Sequence, residues 1–412
     1  MLLRLLLTAG QAVHNDLLWL SAAAIPEARH RDEGGNDMRY KEFKGSAKLS
    51  MLGMGAMRLP VIGGDQGNID YEKAKAIIDR AYQGGVNYYD TAYIYHNGKS
   101  EEFLGKALAE YPRESYYVAD KFNLQAEPDY KKQFPEQLSR LNMEYIDFYL
   151  IHGIQDAWMD QFLECGALRY FDELKKQGKI RNLGFSFHAS PNSLRKLLKI
   201  YPWDFVQIQL NYLDWHYGDA KELYEILEEA EIPIMIMEPV RGGKLANLTP
   251  EAEAILKEAD PEASIASWAL RFVMSRPQVQ VVLSGMSNLE QMEDNLHIFS
   301  ETACLTEEEE ALVKKAADEF RSKVGVGCTA CRYCTPNCPI GLDIPKILSL
   351  YNDVKLANEE WRATFADAMP EGKRPEDCIG CGACTGHCPQ SLDVPAAMKE
   401  MAEIRKKFQK EQ

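Results

Sequence analysis

Two kinds of segment alternate along roughly the first 300 residues of this chain. Short runs rich in β-branched and aromatic residues predict strands, and the segments between them repeat apolar residues three and four positions apart, as amphipathic helices do. The predicted strands are LSMLGMGAM, VNYYDTA, YYVADKF, IDFYLIHG, RNLGFSFH, DFVQIQLNY, IPIMIMEPV and VQVVLSGM. The predicted helices include YEKAKAIIDRAYQGG, LRYFDELKKQGK, PNSLRKLLKIYP and AKELYEILEEAE. Eight such units within about 260 residues predict an α/β fold, the (β/α)8 TIM barrel.

A doubly wound open sheet is the alternative architecture for this alternation. Open sheets typically have fewer units and a glycine-rich first turn, and no G-x-G-x-x-G follows the first strand here. We therefore favour the barrel, whose chemistry is expected at the C-terminal ends of its strands. After the eighth unit, TEEEEALVKKAADEFRSKVG predicts a helical connector.

The cysteines are clustered near the C-terminus. Residues 1–327 contain only Cys165 and Cys304, whereas residues 328–388 contain eight. In each of two motifs three cysteines stand two residues apart, and a fourth follows three residues later, directly before a proline. The motifs are Cys328, Cys331, Cys334, Cys338 and Cys378, Cys381, Cys384, Cys388. This spacing predicts two [4Fe–4S] clusters, because three such cysteines wrap one cubane and the fourth closes the other cluster.

On that rule the ligands cross over between the motifs. We expect one cluster on Cys328, Cys331, Cys334 and Cys388, and the second on Cys378, Cys381, Cys384 and Cys338. A disulfide framework is the first alternative, but no convincing export signal accompanies it. Structural zinc is the second, but zinc sites usually use paired rather than triple spacings.

This C-terminal part resembles the bacterial two-cluster ferredoxins. About forty residues separate its two motifs, however, and IPKILSLYNDVKLANEEWRATFADAM and VPAAMKEMAEIRKKF predict helices. The resemblance is therefore closer to the helical ferredoxin domains that serve as electron-transfer modules in larger oxidoreductases. We predict a barrel over residues 38–305, a connector over 306–327 and a small, mainly helical ferredoxin-like iron–sulfur domain over 328–412.

Residues 1–37 are expected to be a non-native or disordered extension. Their apolar stretch resembles a poor signal peptide, because Gln11, His14 and Asn15 interrupt it. The sequence from Met38 onward resembles the start of a natural protein. Residues 33–37 can be encoded by a purine-rich stretch similar to a bacterial ribosome-binding site. We expect translation to start at Met38.

Composition narrows the range of partners. Hydrophobic residues make up 46% and charged residues 26% of the 412 residues, which is typical of a soluble globular protein. A formal net charge of −15 argues against nucleic acid or an anionic membrane as a partner. No run of eighteen apolar residues predicts a membrane span. A cytoplasmic location is expected.

Four polar residues follow the ends of three adjacent predicted strands: Asp90, Tyr95, Lys121 and His152. Each alone has a structural explanation, such as aromatic packing for Tyr95, but the group together predicts a site. With GVNYYDTAYIY, SEEFLGKAL, ADKF, YIDFYLIH, GFSFH, VQIQLNY and SGMSNLEQMEDNL in this order, residues 45–300 resemble the aldo/keto reductase family.

The resemblance implies hydride transfer between a nicotinamide cofactor and a small-molecule carbonyl or alcohol, with Tyr95 as proton donor. A phenol with a free pKa near 10 needs help near neutrality. We expect Lys121 to lower the pKa of Tyr95, Asp90 to hold the ammonium group, and His152 to donate to the substrate oxygen. The substrate itself is not readable from the sequence.

The resemblance also implies cofactor contacts. They are Ser186 and Gln207 at the nicotinamide, Arg241, Gly242 and Lys244 at the pyrophosphate, and Gly285, Gln291, Asp294 and Asn295 around the adenosine. Three positions depart from the common family pattern. Phe187 stands where many members have an asparagine, Met237 where many have a tyrosine or tryptophan, and Gln291 where an arginine is common. NADP is favoured and NAD stays open.

The two halves handle electrons differently, since a nicotinamide moves two as hydride and a cubane moves one. No flavin motif reconciles them, although flavins bind barrels without one. One hypothesis is a carbonyl reductase whose clusters serve a redox partner protein or a flavin-linked route. The alternative is a ferredoxin-like electron carrier whose barrel binds a nucleotide or flavin without turnover. The set of four polar residues favours the enzyme.

Overall fold

The computed structural model describes residues 38–156, 158–323, 325–357 and 360–409. The predicted extension over residues 1–37 lies outside the described residues. Within them, no helix is both long enough and apolar enough to cross a membrane.

Eight parallel strands close into a barrel in the order β10-β3-β4-β5-β6-β7-β8-β9, which confirms the predicted fold and excludes the open sheet. The strands are β3 (Leu52–Gly55), β4 (Tyr88–Asp90), β5 (Tyr117–Phe122), β6 (Ile146–Ile154), β7 (Ile180–Phe187), β8 (Phe205–Gln209), β9 (Ile234–Met237) and β10 (Val279–Ser284). All nine residues of β6 are buried, because helices cover one face of a barrel strand and the interior covers the other.

Helices follow the strands and surround the barrel. They are α1 (Tyr71–Gln83), α2 (Lys99–Leu108), α3 (Tyr130–Leu141), α4 (Met159–Glu164), α5 (Ala167–Lys176), α6 (Pro191–Leu198), α7 (Tyr212–Tyr217), α8 (Ala220–Glu229), α9 (Pro250–Ala259), α10 (Ile265–Met274) and α11 (Leu289–Glu301). Three 3₁₀ turns accompany them, at Tyr95–Gly98, Arg113–Ser115 and Arg241–Ala246. Two helices begin at residue types that favour helix starts. The side chain of Asp70 caps α1, and that of Thr249 caps α9 directly before Pro250.

An antiparallel hairpin precedes the barrel and was not predicted. Its strands β1 (Tyr40–Phe43) and β2 (Ala47–Ser50) place Phe43 and Leu49 among the interior residues of the barrel. The Phe43 ring meets Phe148 edge-on at 5.2 Å. Four-residue strands carry too little alternation to be recognised alone, and β2 runs almost directly into β3.

The predicted connector forms one helix, α12 (Glu307–Lys323), which packs on the barrel. Its buried residues Val313, Ala317 and Phe320 belong to the same hydrophobic core as the barrel helices. On its first turn Glu309 pairs with Arg271 at 2.6 Å. The helix is therefore part of the barrel's outer layer.

The C-terminal region is mainly helical, as predicted. It contains α13 (Ile344–Ala357), α14 (Ala383–Gly386) and α15 (Val394–Gln409), with 3₁₀ segments at Thr335–Asn337, Glu360–Ala368 and Pro375–Asp377. A small core of its own includes Leu342, Ile347 and Met398. The buried Arg405 of α15 pairs with Glu376 and Asp367 and so ties the segment between the two cysteine motifs to the last helix.

The C-terminal region docks on the barrel at the carboxyl ends of the strands. Arg58 donates to the carbonyl oxygen of Thr329 at 2.9 Å, and Arg241 donates to that of Gly327 at 3.1 Å. The side chains of Gln209 and Gln390 exchange two hydrogen bonds, at 3.1 and 2.7 Å. The first cysteine motif is thereby held over the mouth of the barrel.

The backbone of Gly242 passes close to the backbone of the C-terminal region. Its φ is +66°, and a Cβ there would lie 2.1 Å from the carbonyl oxygen of Thr329. We expect Gly242→Ala to loosen the docked region, because neither backbone can yield without breaking the Arg58 and Arg241 contacts. Faster amide hydrogen exchange in the segment around Thr329 would report the loosening.

Gly243→Ala is the matched control for that substitution. Gly243 also has a positive φ, +91°, but nothing lies within 4 Å of its Cβ position. Both variants carry the backbone strain of a left-handed alanine, and only Gly242→Ala adds the clash. Equal exchange rates in the two variants would contradict the expected role of the close approach.

Candidate active site and cluster ligands

The four predicted polar residues meet at the mouth of the barrel. Lys121, fully buried in β5, donates to Asp90 Oδ1 at 2.6 Å and to the carbonyl oxygen of Thr91 at 2.5 Å. Its Nζ also lies 4.9 Å from the centre of the Tyr95 ring. The ring of His152, at the end of β6, meets Tyr95 edge-on at 5.9 Å. The predicted residues at the ends of three adjacent strands thus form one compact group.

The pKa of Tyr95 differs from the expectation. Burial raises this pKa well above its ordinary value of 10.0, and the neighbouring Tyr333, Asp90 and Glu238 raise it further. A net lowering of this pKa is therefore not what the structure gives, because burial outweighs the effect of Lys121, whose ammonium group donates to Asp90 and Thr91. Tyr95 is therefore held as a protonated phenol.

The protonation of His152 follows from its neighbours. Burial lowers the pKa of this imidazole well below 6.5, and Lys121 and His188 lower it further, so the ring is neutral at pH 7. Asn123 Oδ1 accepts from the backbone N–H groups of Gln125 and Ala126, which turns the Asn123 amide nitrogen toward His152 Nδ1 at 3.3 Å. Because Nδ1 accepts there, the proton stays on Nε2. Nε2–H is thus the group that faces the site.

Two cavities open from this group. The larger, of about 1220 Å³, lies between the barrel mouth and the C-terminal region and includes Arg58, Trp158, Arg332 and His387 in its wall. The smaller, of about 310 Å³, is a groove that leads from Tyr95 toward the start of α11. Tyr95, Cys331 and Tyr333 border both.

The groove contains six of the nine predicted cofactor contacts. These are Gln207, Gly242, Gly285, Gln291, Asp294 and Asn295. Three buried acceptor oxygens in its wall, Gln207 Oε1, Glu238 Oε2 and Asn295 Oδ1, have no hydrogen-bond partner among the described residues. Buried polar groups are normally paired. The groove therefore suits a ligand that brings hydrogen-bond donors, such as the amide and hydroxyl groups of a nicotinamide nucleotide.

The other three predicted contacts do not line the groove. Ser186 accepts from the backbone N–H of Gly153 at 2.6 Å, and Lys244 lies near Cys328. Arg241 is engaged by Asp214 at 3.0 Å, as well as by Gly327 and Gln390 of the C-terminal region. The guanidinium group of Arg241 therefore binds the C-terminal region and is not available to a cofactor in the groove.

The eight clustered cysteines form two groups. Cys338, Cys378, Cys381 and Cys384 line one small, mostly apolar cavity. Cys388 lies close enough to the other three, Cys328, Cys331 and Cys334, to interact with them electrostatically. The last cysteine of each motif thus lies with the first three of the other motif.

Both cysteine groups fit a cluster better than a single metal ion. Among the described residues, no three histidine, cysteine or carboxylate side chains converge as ligands of one ion would. A cubane has its ligands at four corners, so the sulfur atoms surround a volume and not a point. Backbone N–H groups already reach two of the sulfurs, from Ala330 to Cys328 and from Leu342 to Cys338, each at 3.4 Å.

Comparison with known proteins decides the family. The sequence profile of the aldo/keto reductase family matches residues 51–318, and that of the 4Fe-4S dicluster domain matches residues 327–392. The chain belongs to the aldo/keto reductase family. It carries the iron–sulfur domain C-terminal to its reductase barrel.

Individual relatives match about two thirds of the chain or somewhat less. The L-galactose dehydrogenase of Arabidopsis thaliana is 28% identical over 289 residues, which cover 64% of this chain and 89% of the relative. The NADH-specific methylglyoxal reductase of Escherichia coli (strain K12) is 27% identical and covers 60% and 89%. Among solved structures, the holo form of aldo-keto reductase AKR11C1 from Bacillus halodurans is 27% identical, with a TM-score of 0.58, and covers 68% and 96%.

Tyr333 is the contact that sequence reasoning missed in this aldo/keto reductase. It lies in the first cysteine motif, yet its hydroxyl group is 3.0 Å from His152 Nε2, and it borders the same two cavities as Tyr95. The two rings of His152 and Tyr333 meet edge-on at 5.8 Å. No local pattern links residues that lie 181 positions apart, so only the docking of the two regions reveals the contact.

Glu238 was missed as well. It directly follows β9, has a positive φ of 57°, and borders the groove beside Cys331. Burial raises the pKa of its carboxyl group to about 7, against the opposing charge of Arg58. A strained, buried carboxyl group at a strand end is typical of a functional position in a barrel. The position of Glu238 after the apolar run IMIM was the available signal.

Proposed function

We propose that the barrel catalyses NAD(P)H-dependent reduction of a small-molecule carbonyl compound, with Tyr95 as the proton donor. The observation that carries the proposal is the compact group of Tyr95, Lys121, Asp90 and His152 at the meeting point of the two cavities. A cofactor in the groove and a substrate in the larger cavity would meet there. When bound, the nicotinamide supplies the hydride.

Side chains of the protein donate the proton, orient the carbonyl group and stabilise the charge that develops. Tyr95 gives its hydroxyl proton to the carbonyl oxygen as the oxygen gains negative charge. The His152 Nε2–H donates a hydrogen bond to the same oxygen and orients the carbonyl group. Lys121, held in place by Asp90, stabilises the phenolate that Tyr95 becomes and so offsets part of the rise in pKa that burial causes.

The groove is proposed to hold the cofactor through the six predicted contacts that line it. The unpaired oxygen of Gln207 is matched to the carboxamide of a nicotinamide, and that of Asn295 to the adenosine end. The choice between NADP and NAD rests on the 2′-phosphate. Gln291 offers no positive charge for it, and one relative is described as NADH-specific. These two observations favour NAD, whereas the family resemblance favours NADP, so both are proposed as candidates and compared in the assay.

The iron–sulfur domain is proposed to hold two [4Fe–4S] clusters on the crossed cysteine sets. When bound, these clusters supply one-electron transfer. Cys331 borders the groove, so the first set lies directly against the proposed cofactor. Cys381 of the second set is exposed, with the exposed Ile379 beside it, which suits contact with a redox partner protein. A flavin would be the group that exchanges one and two electrons between the halves.

The test uses anoxically purified protein with NADPH or NADH and a panel that includes methylglyoxal and 4-nitrobenzaldehyde. We expect one cofactor molecule to be oxidised for each carbonyl reduced. Failure with both cofactors across the panel would contradict the reductase proposal. In flavin-free protein, NADPH should leave the cluster absorbance unchanged, and bleaching there would contradict the proposed separation of the two electron systems.

One observation favours the alternative of an electron carrier without carbonyl turnover. Tyr333 already stands where a carbonyl oxygen would bind between Tyr95 and His152. A carrier would bind NADPH, transfer its electrons to an added one-electron acceptor and show no dependence on the Tyr95 hydroxyl group. The same variants therefore separate the two functions.

A further inference from the structure

The Tyr333 oxygen has the surroundings that the proposed reaction assigns to a substrate. It accepts from His152 Nε2–H at 3.0 Å, because Asn123 keeps the proton on that nitrogen. The Tyr95 side chain borders the same two cavities as Tyr333 and is close enough to interact with it electrostatically. These are the two donors that would orient and protonate a carbonyl oxygen. One phenol oxygen of the iron–sulfur domain thus binds the first of these donors and lies near the second.

We propose that Tyr333 is an internal competitor for the carbonyl-oxygen site, and that it determines which compounds the barrel binds. A substrate must displace the Tyr333 hydroxyl group before its own oxygen reaches Tyr95 and His152. Tyr333 is therefore a specificity-determining residue, supplied by the second domain. This inference rests on the proposed carbonyl reduction.

The backbone around Tyr333 is fixed at both sides. The residue stands between Cys331 and Cys334, two members of one proposed cluster set, and its carbonyl oxygen accepts from the Asn337 side chain at 3.1 Å. Arg58 holds the same loop to the barrel through Thr329. Displacement is therefore a rotation of the side chain and not a movement of the loop.

The larger cavity provides the space for that rotation. Tyr333 borders it together with Trp158, Arg332 and Asn337, and its volume is about 1220 Å³. A small carbonyl compound gains little beyond the hydrogen bond that Tyr333 gives up, so its binding is weakened. A larger compound also fills the cavity and buries apolar surface there, which offsets the competition. Competition by the Tyr333 hydroxyl group therefore favours large substrates over small ones.

The first test compares Tyr333→Phe with wild type, using cluster-loaded protein, NADPH and methylglyoxal. Phenylalanine keeps the ring and removes the competing oxygen, so we expect KM to fall roughly 3- to 10-fold while kcat stays within about 2-fold. Tyr351→Phe is the control, because the Tyr351 hydroxyl group binds Glu400 within the same domain, away from both cavities. A loss of kcat in Tyr333→Phe would overturn the proposal and make Tyr333 a catalytic residue.

The second test needs no turnover and separates this inference from the proposed function. Calorimetric titration with sodium acetate, against a sodium chloride blank, measures binding of a carboxylate oxygen between Tyr95 and His152. We expect the dissociation constant to fall roughly 3- to 10-fold in Tyr333→Phe and further in Tyr333→Ala. Unchanged acetate affinity in both variants would refute the competition. Tighter acetate binding without carbonyl turnover would support the competition by Tyr333 and reject only the proposed carbonyl reduction.

Discussion

Tyr95→Phe is expected to lower kcat for carbonyl reduction by at least about a hundredfold, because a positioned general acid typically contributes 10²- to 10⁴-fold. Phenylalanine preserves the ring that faces Lys121 and His152 and removes only the proton donor. The measurement is NADPH oxidation under anoxic conditions. NADPH affinity should change little, since the hydroxyl group acts on the substrate oxygen.

Tyr93→Phe is the matched control for this variant. Tyr93 stands two residues earlier, and its hydroxyl group donates to Glu136 at 3.1 Å, outside the catalytic group. We expect nearly wild-type kcat there. Should Tyr95→Phe retain more than a tenth of the wild-type kcat, another group must supply the proton and the proposed mechanism is wrong.

The pH profile of wild type checks the same assignment. A proton donor must be protonated to act, and the pKa of Tyr95 is raised well above 10.0 by burial. Its acidic form therefore persists through neutral pH and is lost only at strongly alkaline pH. Reduction should show no loss of kcat from Tyr95 ionisation below about pH 9.

Replacement of single cysteines is expected to remove one whole cluster and leave the other. Cys388→Ala should reduce the iron content from about eight to about four atoms per chain, because the cluster on Cys328, Cys331 and Cys334 loses its fourth ligand. Cys338→Ala should remove the other cluster. Iron and acid-labile sulfide analysis measures both, and Cys165→Ser, outside the two motifs, is the control.

Double variants test the crossed assignment. Cys328→Ala with Cys388→Ala should lose no more iron than either change alone, since both residues serve one cluster. Cys328→Ala with Cys338→Ala should lose nearly all of it. The reverse result would mean that each motif binds its own cluster, against the arrangement around the small cavity of the second set.

Features set by local pattern could be predicted from the sequence. The eight strands were recognisable because barrel strands are buried on both faces and are therefore almost continuously apolar, as IDFYLIHGI shows. The grouping of Asp90 and Lys121 followed from the rule that strand ends meet at one edge of a barrel, and the family resemblance implied their pairing. The cysteine spacing predicted the iron–sulfur domain because the chain must wrap a cubane of fixed size.

Features set by docking or burial could not be predicted. The Tyr333 contact needs the placement of the second domain over the barrel, and so does the use of Arg241 by Gly327 and Gln390. The direction of the Tyr95 pKa shift also needs the structure, because sequence shows a lysine nearby but not where its ammonium group points.

The packing of α12 on the barrel bears on how electrons travel. Only four residues separate the end of this helix from Cys328, so the tether of the iron–sulfur domain is short and its root is anchored in the barrel core. A domain attached in this way has little freedom to swing away from the barrel. In the proposed electron transfer, the distances between the clusters and the barrel site would therefore be set by the fold and not by diffusion of a tethered domain.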